Sequence, residues 1–195
     1  MLFRSQQLRQ LGIGLLTIPG NDDGSEIEAV LSEHPWVNNL DECVQSFRGH
    51  ELFGLGYSNV TPWQSPRELS EVELAKRLAR VATQITDWPG AIGVIHVPPL
   101  DSGLDLAPHL EMDHEVLRPS GRGLVPIGSS AVREFIKAYG PLAVFSGHCH
   151  ESRGFVKVGA TSCVNAGSQC HAGTLSACLI RIADRAVLGH QFFVN

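Results

Sequence analysis

From Met1 to Gly20 the chain contains no aspartate, glutamate or histidine. That opening stretch therefore brings no carboxylate or imidazole to an active site. No apolar run approaches the roughly 20 residues needed to cross a bilayer, and the start lacks the apolar core and small-residue cleavage site of a secretory signal. A cytoplasmic location with no membrane partner is expected. The five cysteines (Cys43, Cys149, Cys163, Cys170 and Cys178) form no Cys-x-x-Cys pair, and the odd number reads as free thiols. A cationic excess is also missing. The formal net charge is -5, which argues against broad attraction to nucleic acid or anionic lipid. Neither a Gly-x-x-x-x-Gly-Lys-Ser/Thr phosphate loop nor a Gly-x-Ser-x-Gly nucleophile elbow occurs, so two common enzyme templates drop out.

What is present suits one domain spanning residues 1–195. Short β-rich runs bounded by Gly, Pro, Asn or Asp read as strands: 12–18, 51–55, 91–97, 142–146, 161–164, 175–182 and 187–194. Ser25 with Glu28 and Ser70 with Glu73 each fit a capping box, opening helices over 26–32 and 71–85. The second helix spaces Val72, Leu74, Leu78 and Val81 as an apolar stripe. Ser129 or Ser130 opens a third, with Val132, Phe135 and Ile136 on one face, and a short helix fits 3–10. Strand and helix alternate first and strands dominate the end. The expected class is α/β: a two-sheet β-sandwich flanked by helices.

Four apolar runs end in a polar residue: Ile18-Pro19-Gly20 before Asn21-Asp22-Asp23, Ile95 before His96, Ser146-Gly147 before His148-Cys149-His150, and Val164 before Asn165. Strand ends on one sheet edge converge in space, so these residues can share a site. An extended segment would point His148 and His150 the same way. Imidazole suits Mn, Fe, Zn or Ni, and asparagine adds a carbonyl oxygen.

The ordered set resembles the calcineurin-like metallophosphoesterase superfamily. Gly20-Asn21-Asp22-Asp23 matches its Gly-Asn-His-Asp/Glu motif, His96 its isolated strand-end histidine, and Gly147-His148-Cys149-His150 its Gly-His-x-His motif. Ser58-Asn59-Val60-Thr61-Pro62 and Ile127-Gly128-Ser129-Ser130 look like segments of a subgroup carrying Gly-Asn-Asp-Asp. The resemblance implies that Asn21, His96 and His148 bind one divalent transition-metal ion and His150 a second. It also implies a small phosphoester as substrate, water as nucleophile and no covalent enzyme intermediate. The family's two preceding motifs, Asp-x-His and Gly-Asp-x-x-Asp, have no counterpart here. The expectation is a partial domain without the family's opening strands; Asp22, Asp23 and Asp101 are candidates to stand in for the absent carboxylates, while each reads first as a solvated loop or helix-capping acid. Asp22 also replaces a histidine assigned to leaving-group protonation or phosphate contact. A carboxylate beside cations is a poor general acid, so Asp22 points to leaving groups that need little protonation. Ser129, before the third helix, is a candidate phosphate contact through helix N-terminal amides, though capping explains it equally.

Two other readings stand beside this one. A structural zinc module would gather Cys149, Cys163, Cys170 and His171 with His148 or His150. An inactive family member would bind partners, or copies of itself, through an exposed sheet edge. His109 and His114, with Glu111, Asp113 and Glu115, read as a solvated loop.

Overall fold

The computed structural model describes residues 2–34, 36–113 and 116–195. Helix α1 (Leu2–Gln10), strand β1 (Leu15–Thr17), helix α2 (Ile27–Ser32) and strands β2 (Val37–Asn39), β3 (Val44–Phe47) and β4 (His50–Leu55) form the first third. Short strands β5 (Ser58–Asn59) and β6 (Glu68–Leu69) precede α3 (Glu71–Ala82) and β7 (Ile92–Ile95). A hairpin of β8 (Leu106–Asp113) and β9 (Val116–Pro126) leads to α4 (Ser130–Tyr139) and β10 (Ala143–Ser146). The chain closes with β11 (Gly154–Val158), β12 (Thr161–Asn165), β13 (Ser176–Ala183) and β14 (Ala186–Val194).

Six strands make the central sheet in the order β11-β12-β10-β7-β4-β3. The four inner strands β12, β10, β7 and β4 run parallel, and antiparallel β11 and β3 close the edges. Because the inner strands share a direction, the residues that follow β4, β7, β10 and β12 all emerge at one edge. That edge is where the candidate ligands lie.

One face of the sheet is covered by α3 and α4. Ser70 caps α3 by accepting from the Glu73 amide, and Leu74, Leu78, Val81 and Ala82 are its buried residues. Ser129 caps α4 in the same way through the Val132 amide, and Gly140 ends it in the left-handed conformation. Their apolar stripes meet Phe53, Leu55, Ile95 and Val144 in the main core. Rings of Phe53, Trp88 and Phe135 pack edge to face there.

The other face carries a second layer, which gives the sandwich its two-sheet character. It is divided into a parallel pair, β1 with β2, and an antiparallel pair, β13 with β14. Leu16 and Ile18 from one side and Ile182 from the other pack on a small cluster of Leu40, Leu52 and Ile92. No residue of β1, β13 or β14 is buried. Val94 in β7 and Phe145 in β10 are only half-buried, although inner parallel strands are ordinarily covered on both faces. The layer is thin over the middle of the sheet.

The mixed α/β class and the flanking helices agree with the sequence reading, while several local expectations do not hold. Ser25 makes no cap: α2 begins after Glu26, which makes no side-chain capping bond, and none of its residues is buried. Without burial there is little to reward the cap. Val72, placed on the apolar stripe, is 66% exposed. The segment around His109, read as a loop, is the β8–β9 hairpin, where His109 Nδ1 pairs with Ser120 Oγ at 2.8 Å; His114 and Glu115 lie outside the described residues. Strands β2, β3 and β11 lacked a readable apolar alternation because each is an edge or outer strand.

Candidate metal centre

His96 follows β7 directly and its amide continues the ladder, donating to Leu55 O at 2.9 Å. The next crossing repeats this: the Gly147 amide donates to His96 O at 3.0 Å. His148 then takes a left-handed backbone, φ 62°, a conformation that is costly for a side-chain-bearing residue and clusters at functional sites. A tight turn follows, with Cys149 N donating to Gly147 O and Ser152 N to Cys149 O. The segment is therefore not extended. His148 faces inward, Cys149 is buried, and His150 is exposed.

Asn165 holds that turn in place. It is 1% exposed, and its Nδ2 lies within 2.8 Å of Cys149 O, 3.2 Å of Leu104 O and 3.3 Å of Gly147 O. Its Oδ1 accepts from the Gly167 amide at 2.8 Å. Asn165 stood out in the sequence as the polar end of an apolar run, but nothing there showed that it acts on the backbone of the His148 turn.

Asn21 arrives from the second layer. Strand β1 lies so close to β4 that a Cβ on Gly54 would sit 2.7 Å from Ile18 Cγ2 and 2.8 Å from Leu40 O. Beyond it, Gly20 sits against the His96 ring, and a Cβ there would be 3.0 Å from His96 Cε1. The Asn21 carbonyl accepts from Arg67 N at 3.0 Å. Arg67 is itself buried, pairs with Asp41 and lies over the Tyr57 ring. Burial raises the Asp41 carboxyl above its ordinary range, against the Gly56 amide and Arg67, which both favour the charged form. Sequence alone did not connect Asp41 or Arg67 with the site.

These constraints bring three donors together. Asn21 Oδ1 is 2.8 Å from His96 Nε2 and 3.2 Å from His148 Nδ1, and the two rings are 5.2 Å apart at 73°. Burial, with His148 close by, drives the His96 imidazole down to about 3. His148 is lowered for the same reason, burial first, with the charge of His150 acting in the same direction. Both shifts favour the neutral imidazole, the form that can bind a metal. Ligand atoms that share one ion at bonds of about 2.0–2.2 Å lie roughly 3 Å apart, and the Asn21 oxygen stands at about that distance from a nitrogen of each ring, so Asn21, His96 and His148 are the residues that could hold an ion. Among the described residues, no three His, Cys, Asp or Glu side chains are placed to hold a metal ion; the fit depends on the asparagine.

The remaining candidates fall into place around this trio. Asp22 is exposed, and its Oδ1 accepts from Ser65 Oγ at 2.5 Å and Asn21 Nδ2 at 3.1 Å. Asp23 is used on the backbone, accepting from Gly20 N at 2.6 Å. Both line a cavity of about 590 Å³ together with His96, His148 and His150. Asp101 is not on that wall; it turns a loop with φ 52°, its amide donating to buried Asp105. Ser129 is fully buried, donating to Glu71 and capping α4, and it lies outside the cavity lining. Among the described residues, the cysteines and His171 of the zinc-module reading form no group of three or more with His148 or His150 that could hold a metal; Cys149 and Cys163 are buried thiols pushed up to about 12 by desolvation.

No family model matches the chain. It is 29% identical over 153 residues to the uncharacterized protein MJ1162 of Methanocaldococcus jannaschii, a match covering 77% of this chain and 62% of that protein. The chain thus spans less than two thirds of that relative. Among solved structures, TT1561 of Thermus thermophilus superposes with a TM-score of 0.56 at 20% identity, over 88% of this chain and 70% of that one. The Thermus thermophilus sulfate thiohydrolase SoxB superposes at 0.51 and 14% identity, over 97% of this chain and 34% of that one. At these identities the likeness is one of fold: a large mixed sheet flanked by helices.

Proposed function

We propose that this chain is a metal-dependent phosphoesterase in which Asn21, His96 and His148 hold a divalent transition-metal ion, Mn, Fe, Zn or Ni, at the sheet edge. The observation that carries this reading is the meeting of His96 Nε2 and His148 Nδ1 on the oxygen of Asn21. Such an ion lowers the pKa of water and offsets phosphoryl charge. The neutral imidazoles and the amide oxygen would be the donors to such an ion. His150 lines the same cavity from the exposed side and is the residue available to a second ion. Asp22 sits at the mouth with Oδ1 engaged by Ser65 and Asn21, so its second oxygen is free to accept a hydrogen bond from water or a protonated phosphate. Its role in this reading is contact with the substrate. The thiohydrolase among the structural neighbours supports hydrolytic chemistry on this fold, and membership of the Gly-Asn-Asp-Asp subgroup of phosphoesterases is part of the proposal. A small-molecule substrate and a cytoplasmic location are part of the same proposal; no described helix is long and apolar enough to cross a membrane.

Metal content and hydrolysis of bis(4-nitrophenyl) phosphate test this together. His96→Ala and His148→Ala should each lose the stoichiometric ion and reduce turnover by about 100-fold or more. Unchanged metal content in both variants would remove the proposal.

The thin second layer favours a different reading, that of an interaction protein with weak or absent catalysis. Half-buried Val94 and Phe145 and the unjoined pairs β1–β2 and β13–β14 leave apolar surface and strand edges for a partner or a second copy. Light scattering after gel filtration separates the two: a monodisperse monomer with metal-dependent turnover supports the enzyme, a stable oligomer without turnover the binder.

A further inference from the structure

The cavity at the candidate metal centre is much larger than a phosphoryl group needs, and its composition changes along its length. Its inner end is polar. Its outer wall is built from Trp63, Ala107, Pro108, Leu110 and Ile127. The same five residues also line a second cavity of about 340 Å³, between the loop after β5 and the base of the β8–β9 hairpin. The two spaces adjoin along these residues, and together they make the groove. Trp63 and Val60 stand on its rim 60% and 66% exposed, an unusual place for a large aromatic side chain unless something covers it.

Charge narrows the choice of occupant. No lysine or arginine is among the described residues lining either part of the groove, while Asp22, Asp23 and Glu151 stand at its metal end. A second phosphate or a carboxylate on the leaving group would find no lysine or arginine there and would meet like charge at the metal end. Uncharged aromatic surface finds an indole, four prolines (Pro62, Pro108, Pro119 and Pro126) and branched aliphatic carbons.

Resting on the phosphoesterase reading, we infer that the groove selects phosphoesters whose organic part is an uncharged aromatic group, stacked on Trp63 with its phosphoryl end at Asn21, His96 and His148.

Calorimetric titration of the manganese-supplemented full chain with methylphosphonate and with 1-naphthylmethylphosphonate tests the inference without relying on turnover. The naphthyl compound should bind about tenfold more tightly or better. Trp63→Ala and Val60→Asp, both at exposed positions, should each narrow that ratio to about threefold or less. Equal affinities, or a ratio untouched in both variants, would overturn the aromatic groove and leave the phosphoesterase reading standing. Binding of neither phosphonate would overturn both.

Discussion

The helix-covered and strand-covered faces of the central sheet are made from the same strands but packed to different depths. On the helix face, among the described residues, 17 buried side chains form one continuous cluster. On the strand face the comparable cluster has three. The candidate metal centre lies on the seam between them. His96 and His148 extend from strands anchored in the deep core, whereas Asn21 is delivered by β1, in the shallow layer. The donor trio therefore depends on two supports of unequal stiffness, and the shallow one is reinforced by contacts other than burial: the glycine approach at Gly54 and the Arg67–Asp41 pair.

Truncations on the two faces should show the largest contrast. Phe53→Ala, in the aromatic cluster of the deep core, should cost about 3–5 kcal/mol. Ile182→Ala, half-buried on the other face, should cost less than about 1.5 kcal/mol. Urea unfolding of the two variants measures the difference, and similar losses would mean that the strand layer is as well packed as the helix layer. Asn165→Ala should come next, at about 2–3 kcal/mol, since it strips hydrogen bonds from three backbone carbonyls, two of them in the His148 turn. It should also weaken metal binding, which equilibrium dialysis would show. Gly54→Ala should cost about 1–3 kcal/mol through overpacking against Ile18 and Leu40. The same change should lower metal affinity by moving Asn21 while leaving the helix-face aromatic circular dichroism intact. An unchanged affinity would show that the Asn21 loop is placed independently of β1.

The smallest expected effect lies at the far end of the sheet. Amides of Asp87 and Thr86 and the Thr86 hydroxyl hold the Glu51 carboxyl below its usual range. A carboxyl lowered in the folded state stabilises it above the ordinary carboxylate pKa, and that support is lost as pH falls through the folded value. Glu51→Gln should therefore cost under about 1 kcal/mol at neutral pH, the exposed setting screening the gain. The difference from wild type should shrink on acidification below the usual glutamate range. A constant difference across pH would show that the bonds, and not the charge, matter there.

The candidate ligands are readable from the sequence because each follows an apolar run at a strand end and keeps recognisable neighbours: Gly20-Asn21, Ile95-His96, Gly147-His148. Helices α3 and α4 were equally plain, since a cap and a periodic stripe are local signals. Edge strands were not, because β2, β3 and β11 carry little apolar alternation. The roles of Asp41, Arg67 and Asn165 were hidden for a different reason. Each acts on a backbone group or charge far away in the chain, and no spacing rule records such a pairing.

Local chemistry thus fixed which side chains are available as ligands and which segments become helix or inner strand. Tertiary packing settled the rest: that Asn21 meets two histidines and Asp101 does not, that Ser129 is committed to a cap, and that His150 faces solvent. Those outcomes depend on parallel strands ending at a common edge and on a left-handed backbone at His148 held from outside by Asn165. They also depend on β1 approaching β4 across a glycine. Each is a long-range steric or hydrogen-bonding condition, satisfied only once the sheet has formed.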